Sequence, residues 1–425
     1  MPPRRRARVD GAAAPPAAAL ASVLLLPHAL LLAIFALLPV DARLRAAAVC
    51  RAWRQALADR ALWTTLDFSG ITCALTDALL RAAAARARGE LRSLTLCEDD
   101  DLSHQALFEV ARANADTLTE LRGVEHDDTG EWQLAALLAA APRLRVLQAD
   151  VATHSARVLA MLSNQAPYDV LRLRRLTLRF GWRWISAPPE ARLALATALG
   201  GHTSLERLSL MYPSPVVLAA VNDALDVMLA NKLVGFELTF ASWDESPVAA
   251  ALSLFVRLLE CETVTHLGLE GLDILAVRTT PAQTTPLWDA LQANSTLTSL
   301  AITSLSRRPR DRWVESRLEP LLQAITSHAG LRRFDLAGFV SMDGRDAAAL
   351  GALIAANAPA LRELSPGQLR TRYEASDRCA ATKHALARVA LRAASRPRHE
   401  RHRCAHAAGA RAARQHRLAQ AAAGG

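Results

Sequence analysis

The chain has 425 residues, 51% hydrophobic and 21% charged, which is too long and too apolar for a disordered tail and long enough for two or three folded units. Its six cysteines (50, 73, 97, 261, 379 and 404) form no C-x-x-C pair, which argues against a disulfide scaffold or a zinc ribbon and suits a reducing compartment. The formal charge is +9, but residues 370–425 hold 13 basic and 3 acidic residues, a balance of +10, so the rest of the chain (37 basic, 38 acidic) carries −1. High basicity therefore belongs to the C-terminal segment. Aromatics make up only 5%, so Leu and Ala must build the core.

Residues 1–21 are basic and Ala/Pro-rich and read as a disordered leader. Residues 17–40 carry no charge and follow Arg4, Arg5, Arg6 and Arg8. A basic start before an apolar run has the form of a signal peptide or anchor, and the run reaches the roughly 20 residues a spanning helix needs. Pro27 and His28 divide it, however. From Leu26 the same residues support another reading. Pro27 starts a helix in whose first turn its missing N–H costs nothing. Leu30, Ile34 and Leu38 recur at four-residue steps, with Leu31 and Phe35 in a neighbouring stripe. Pro39 ends the helix, and Asp41 is the expected N-cap of a second. There Val49 and Trp53 face one side, while Arg43, Arg51 and Arg54 reach water. A short third element holds Leu62 and Trp63. The resulting helical unit is too small to bury its own apolar surface.

The sequence Leu26-Pro27, Ile34-Phe35, Leu38-Pro39, Val49-Cys50-Arg51-Ala52-Trp53-Arg54 and Leu62-Trp63 resembles the F-box over roughly residues 22–68. The resemblance implies packed short helices that dock on a Skp-type adaptor of a cullin–RING ubiquitin ligase. It places Leu26, Pro27, Ile34, Phe35, Leu38, Val49, Cys50, Trp53, Leu62 and Trp63 on motif positions, some touching the adaptor and others forming core. The chain departs from the family where His28-Ala29-Leu30-Leu31-Leu32-Ala33 replaces more polar residues. Cys50 then reads as a packed apolar residue.

From Trp63 onward an apolar-x-x-apolar-x-apolar pattern recurs at steps of 26 to 34 residues. The clearest copies open at Leu91, Leu173, Leu205, Leu233, Val264, Leu297 and Leu331, with weaker ones at Leu118, Leu144 and Leu361. Helical patterns lie between them, among them Ala106–Ala113, Leu134–Ala140, Ala191–Leu199, Val217–Leu229, Ala249–Leu259, Leu318–Ile325 and Ala347–Ala355. Residues 69–369 therefore read as a strand-then-helix solenoid resembling leucine-rich repeats, an α/β fold with parallel strands lining a concave face and helices coating the convex one. The family's Asn ladder after each strand is missing.

On such a solenoid the outward strand positions are candidates for holding a protein substrate. The basic trio Arg175, Arg179 and Arg207 spans two repeats, and Glu237 and Glu270 lie on the next two. Solvated strand positions would carry the same residue types. Aromatics follow several strands: Phe180, Trp182, Trp184, Tyr212, Phe240 and Trp243. They read either as interface anchors, Trp182 and Trp184 foremost, or as lids on the core.

Glu125-His126-Asp127-Asp128, Cys97–Asp101 and the His399/His402/Cys404/His406 group read as polar loop or low-complexity sequence, with no metal or other cofactor implied. No nucleotide-binding loop, G-x-S-x-G or H-E-x-x-H occurs, so nothing points to an enzyme. Residues 370–425 lose the repeat, apart from a helical pattern over Lys383–Ala394, and show no aromatic interleaving for specific nucleic-acid binding. The expected function is substrate recruitment within an SCF-type ligase, in the cytoplasm or nucleus, with a Skp-type adaptor, a cullin scaffold and a protein substrate as partners and no membrane. The competing expectation is a signal-anchored or secreted repeat receptor or inhibitor using residues 17–40.

Overall fold

A computed structural model describes residues 26–371 except 71–74, 98–101, 125–130, 152–158, 160–161, 163–171, 182–183, 185–186, 241–247, 271–280, 304–317, 327, 329, 338–340, 343, 358–360, 362 and 366–369. The sequence readings of Trp182, Trp243, Glu125–Asp128, residues 98–101, the leader and the C-terminal segment after 371 lie outside the described residues.

Three short helices open the chain: α1 (His28–Ala36), α2 (Val40–Ala46) and α3 (Arg51–Ala56), followed by a 3₁₀ turn (Arg60–Leu62). Strands and helices then alternate: β1 (Thr65–Asp67), α4 (Asp77–Arg86), β2 (Ser93–Thr95), α5 (His104–Ala113), β3 (Glu120–Val124), α6 (Glu131–Ala140), β4 (Val146–Val151) and β5 (Arg175–Phe180). The series continues through α7 (Pro189–Gly200), β6 (Arg207–Met211), α8 (Pro215–Ala230), β7 (Gly235–Thr239), α9 (Val248–Leu259), β8 (His266–Glu270), α10 (Pro281–Ala293) and β9 (Ser299–Thr303). It ends in α11 (Leu318–Thr326), β10 (Arg333–Ala337), β11 (Ser341–Met342), α12 (Gly344–Asn357), β12 (Glu363–Ser365) and β13 (Arg370–Thr371).

Eleven strands, β1 to β10 and then β12, form one sheet in chain order, with every neighbour parallel. β11 and β13 form a separate parallel pair. Each strand of the large sheet corresponds to one copy of the sequence pattern. Leu173, Leu176 and Leu178 are buried, as are Leu205, Leu208 and Leu210 and their counterparts in the other well-formed copies. Side chains alternate across a strand, so the residues between these leucines point to the opposite face. That face is open in the middle of the sheet, where Arg175 and Glu237 are exposed and their neighbours half-buried.

A regular backbone ladder ties the copies together. The carbonyl just before the strand region of each copy, from Thr64 and Arg92 through to Thr298, accepts two N–H groups from the next copy at 2.7–3.2 Å. Side chains reinforce it where the Asn ladder is missing. The residue before the first inward leucine donates its hydroxyl to the preceding copy: Thr117 to Leu91 O (2.9 Å), Ser204 to Leu173 O (3.0 Å) and Thr296 to Val264 O (3.1 Å). At the helix exits Asn294 Nδ2 reaches Leu259 O at 2.6 Å, and His328 Nε2 donates to Leu291 O at 2.5 Å. Carbonyls at the copy boundaries are satisfied in this way.

Glycine is needed in β3. Gly123 has φ +72°, and a Cβ there would stand 2.5 Å from Leu96 O. The pairing register between β3 and β4 shifts at this point, so Gly123 lets the ladder resume after a bulge.

His202, in the turn before β6, is fully buried, and neither ring nitrogen finds a partner among the described residues. Burial lowers its pKa from 6.5 to about 4. The unfolded chain then binds a proton that the folded chain refuses, so stability present above about pH 6.5 is lost as the pH falls toward 4. Acidification from pH 7 to pH 5 should cost about 2 kcal/mol through this group alone. Thermal melts at the two pH values should show a Tm drop of several degrees that shrinks in His202→Met.

Candidate functional site

The N-terminal unit is built around prolines and one arginine. Pro27 occupies the N-cap of α1, and Pro39 stops that helix while serving as the N-cap of α2. Asp41 was expected in the latter role. It lies instead inside the first turn of α2, where it favours the helix dipole and pairs with Arg45 at 2.9 Å.

Arg43 does not reach for water as its position on α2 suggests. Its Nε donates to Phe35 O (3.1 Å) and Leu38 O (2.9 Å), Nη2 to Ala36 O (3.1 Å), and Nη1 to Leu62 O. One guanidinium thus satisfies the orphan carbonyls at the end of α1 and fastens the 3₁₀ turn to them. Burial lowers its pKa from the ordinary value, with the Asp67 carboxylate opposing, and the group stays charged. Arg54 Nε makes a smaller version of this contact with Ala47 O at 3.1 Å.

The two stripes of α1 separate, except that Leu38 of the outer stripe is half-buried against the core and Leu37 stands outside in its place. Leu31 and Phe35 are buried, and the Phe35 ring meets Trp53 edge-on at 5.4 Å. Leu30, Ile34 and Leu37 face outward with 51%, 44% and 72% of their surface accessible, and Val49, before α3, is 60% accessible. Single exposed apolar residues are ordinary, but two on one nine-residue helix and a third at its C-cap leave an apolar face that none of the described residues covers.

The motif positions therefore divide. Pro27, Ile34 and Val49 are exposed, and Leu26, Leu38, Cys50 and Trp53 are half-buried. Phe35, Leu62 and Trp63 are core and cannot touch a partner without unfolding. Cys50 is the N-cap of α3, its Sγ accepting from Trp53 N at 3.4 Å. Leu37 was not singled out from the sequence. Its signal was present, because Leu30, Ile34 and Leu37 follow the i, i+4, i+7 spacing of one helix face.

Trp63 joins the two parts of the molecule. Its indole is fully buried, Nε1 donates to Leu57 O at 2.8 Å, and the Arg86 guanidinium of α4 sits 4.7 Å from the ring centroid. Trp63, Leu66 and Phe68 are also the inward residues of the first strand copy. Arg60 adds an ion pair to Glu90 across the same junction.

On the open face the basic trio is broken. Arg179 stands opposite Asp150 on the adjacent strand, and the two form a bidentate pair, Nε–Oδ1 and Nη2–Oδ2 both 2.6 Å. Its charge is spent within the sheet. Arg175 and Arg207 stand directly opposite each other on β5 and β6. Glu237 is exposed, and Glu270 accepts the Thr239 hydroxyl at 3.1 Å. Trp184, expected among the anchors, is a lid: it is fully buried, donates Nε1–H to Val151 O at 2.7 Å, and meets Phe180 edge-on at 5.2 Å. Phe180 and Phe240 are likewise buried. Among the described members of this group Tyr212 is exposed, held at φ 58° after β6.

Among the described residues no helix is long and apolar enough to cross a membrane; the apolar run resolves from Leu26 onward into α1, nine residues long, and a proline stop. A protein-family model described as F-box-like matches residues 23–69, which spans α1 to α3, the 3₁₀ turn and β1. No curated protein resembles the chain closely enough to count as a match.

Replacing Arg43 should loosen the N-terminal unit, since four carbonyls lose a charged donor together. Arg43→Met should destabilise it by roughly 3 kcal/mol, with Arg43→Lys intermediate because an ammonium cannot span the same fork. Limited proteolysis of the two variants, scored by cleavage within residues 26–62, should rank them in that order.

Proposed function

We propose that the chain is a substrate-recruiting subunit of an SCF-type cullin–RING ubiquitin ligase. Its F-box-like domain, residues 23–69, docks a Skp-type adaptor, and its strand–helix array, which resembles leucine-rich repeats, holds a protein substrate. The observation that carries this reading is the outward stripe of Leu30, Ile34 and Leu37, with Val49, on the matched domain. An apolar helix face of this kind is the surface a helical partner buries.

The chain performs no bond chemistry in this reading. Its contribution is to hold a substrate near a ubiquitin thioester carried by another protein, so that a bimolecular encounter becomes a local one. The junction at Trp63 supports that role. The adaptor-facing helix and the first strand share one buried core, so the substrate-facing sheet keeps a fixed orientation to the ligase.

Co-purification with a Skp-type adaptor should succeed with the full chain. Leu30→Asp with Ile34→Asp should weaken it more than about 100-fold, since two desolvated anchors are lost, while the melting temperature is unchanged. Phe35→Ala should fail differently, by lowering stability. Undiminished capture of the Leu30/Ile34 double variant would remove the docking claim.

A further inference from the structure

The open face carries two adjacent arginines without a carboxylate partner among the described residues, at one end of a row that also holds His266 and Arg333. At the first residue of successive strands the parallel register aligns Arg175, Arg207, Gly235, His266, Ser299 and Arg333. Parallel strands lie ~4.8 Å apart, so the five steps span about 24 Å. Among the described residues neither Arg175 nor Arg207 has a carboxylate partner, although they sit side by side, an arrangement that disfavours the folded sheet. Three arginines elsewhere are neutralised across repeats: Arg179 by Asp150, Arg192 by Asp223, Arg257 by Asp226. Arg333, at the far end, holds Glu363 only loosely at 3.7 Å.

The glycines shape the row. A Cβ at Gly235 would stand 3.1 Å from Arg207 Cγ and 3.4 Å from His266 Cβ. The Arg207 side chain therefore lies across the gap toward His266. Burial first, then the charges of Arg207 and Arg333, hold the His266 imidazole below its ordinary pKa. His266 is thereby kept neutral at pH 7, so the charge of the row is that of its arginines.

The geometry points to an acidic peptide segment as the ligand of this row, bound in extended form across the N-terminal ends of the strands, with its carboxylates over Arg175, Arg207 and Arg333. Some seven extended residues cover the span. Glu237 and Glu270 lie two and four residues further along β7 and β8, and would repel a chain that strayed from the row. They also disfavour a nucleic-acid duplex, whose width would lay phosphates over them. This ligand class rests on the open face being the substrate surface proposed above, but its test needs no ligase component.

A photoactivatable octaglutamate peptide should be mixed with the full-length chain and the cross-linked residues mapped by mass spectrometry. Cross-links should fall on the N-terminal ends of β5 to β10, and should decline at least tenfold in Arg175→Glu with Arg207→Glu. The milder pair Arg175→Gln with Arg207→Gln, checked for an unchanged Tm, should show the same direction if the first pair misfolds. Arg192→Glu, on the helix side, should leave the yield unchanged. Cross-links confined to the basic residues 370–425, undiminished yield in the folded double variants, or equal capture of oligothymidylate would overturn the proposal. Adaptor capture can succeed while this assay fails, and the converse also holds, so the two claims are separable.

Discussion

The buried indole of Trp63 belongs to two units at once. Its Nε1–H closes onto Leu57 O of the helical unit, while its ring sits beneath Arg86 of the first repeat helix and heads the first inward triplet of the sheet. A helical unit of some forty residues buries too little surface to stand alone. Here its core continues into the core of the array, and a single cluster of apolar side chains runs from Leu31 to Ile354. That continuity lets α1 spend Leu31 and Phe35 on the interior and still leave Leu30, Ile34 and Leu37 uncovered. A stripe committed to the outside is tolerable only because the inside is secured elsewhere. The same continuity leaves no linker between the helical unit and the sheet, so geometry set at one end is kept at the other.

Arginine carries much of the remaining specificity, and its roles differ by surroundings. Arg43 is turned inward onto helix-end carbonyls, a use in which the fork of donors matters more than the charge. Arg86 covers an indole, and Arg179 is locked to Asp150. Arg175 and Arg207 have none of these outlets. An Arg-rich composition by itself says nothing of which case applies, because the distinction lies in what the neighbouring copy presents across the sheet.

The repeat was legible because it is spelled by period-2 leucines at a nearly constant step, and burial of the same face in every copy forces one register. Helix α10 was harder to read, since Pro286 interrupts its pattern, and α4 is so rich in alanine that little periodicity stands out. In the N-terminal unit the motif residues were visible, but their division into core and surface was not. Phe35 and Ile34 are adjacent and equally apolar, and only the packing of α1 on Trp53 tells them apart. Arg43 was misread for a related reason: an arginine on a short helix is ordinarily solvated, and the carbonyls that claim it belong to residues up to nineteen positions away. Trp184 was offered as an anchor because strand-exit aromatics serve both as lids and as contacts. The burial that decides the matter comes from Val151 and Ser214 in the flanking copies.

The central claim is that the uncovered face of α1 is made for another protein. Hydrogen–deuterium exchange of the full chain with and without a Skp-type adaptor tests this most directly. The account requires added protection over residues 28–38 and around Val49, with exchange in β5 to β8 unchanged. Unchanged exchange over α1 at saturating adaptor, or protection confined to the sheet, would contradict it.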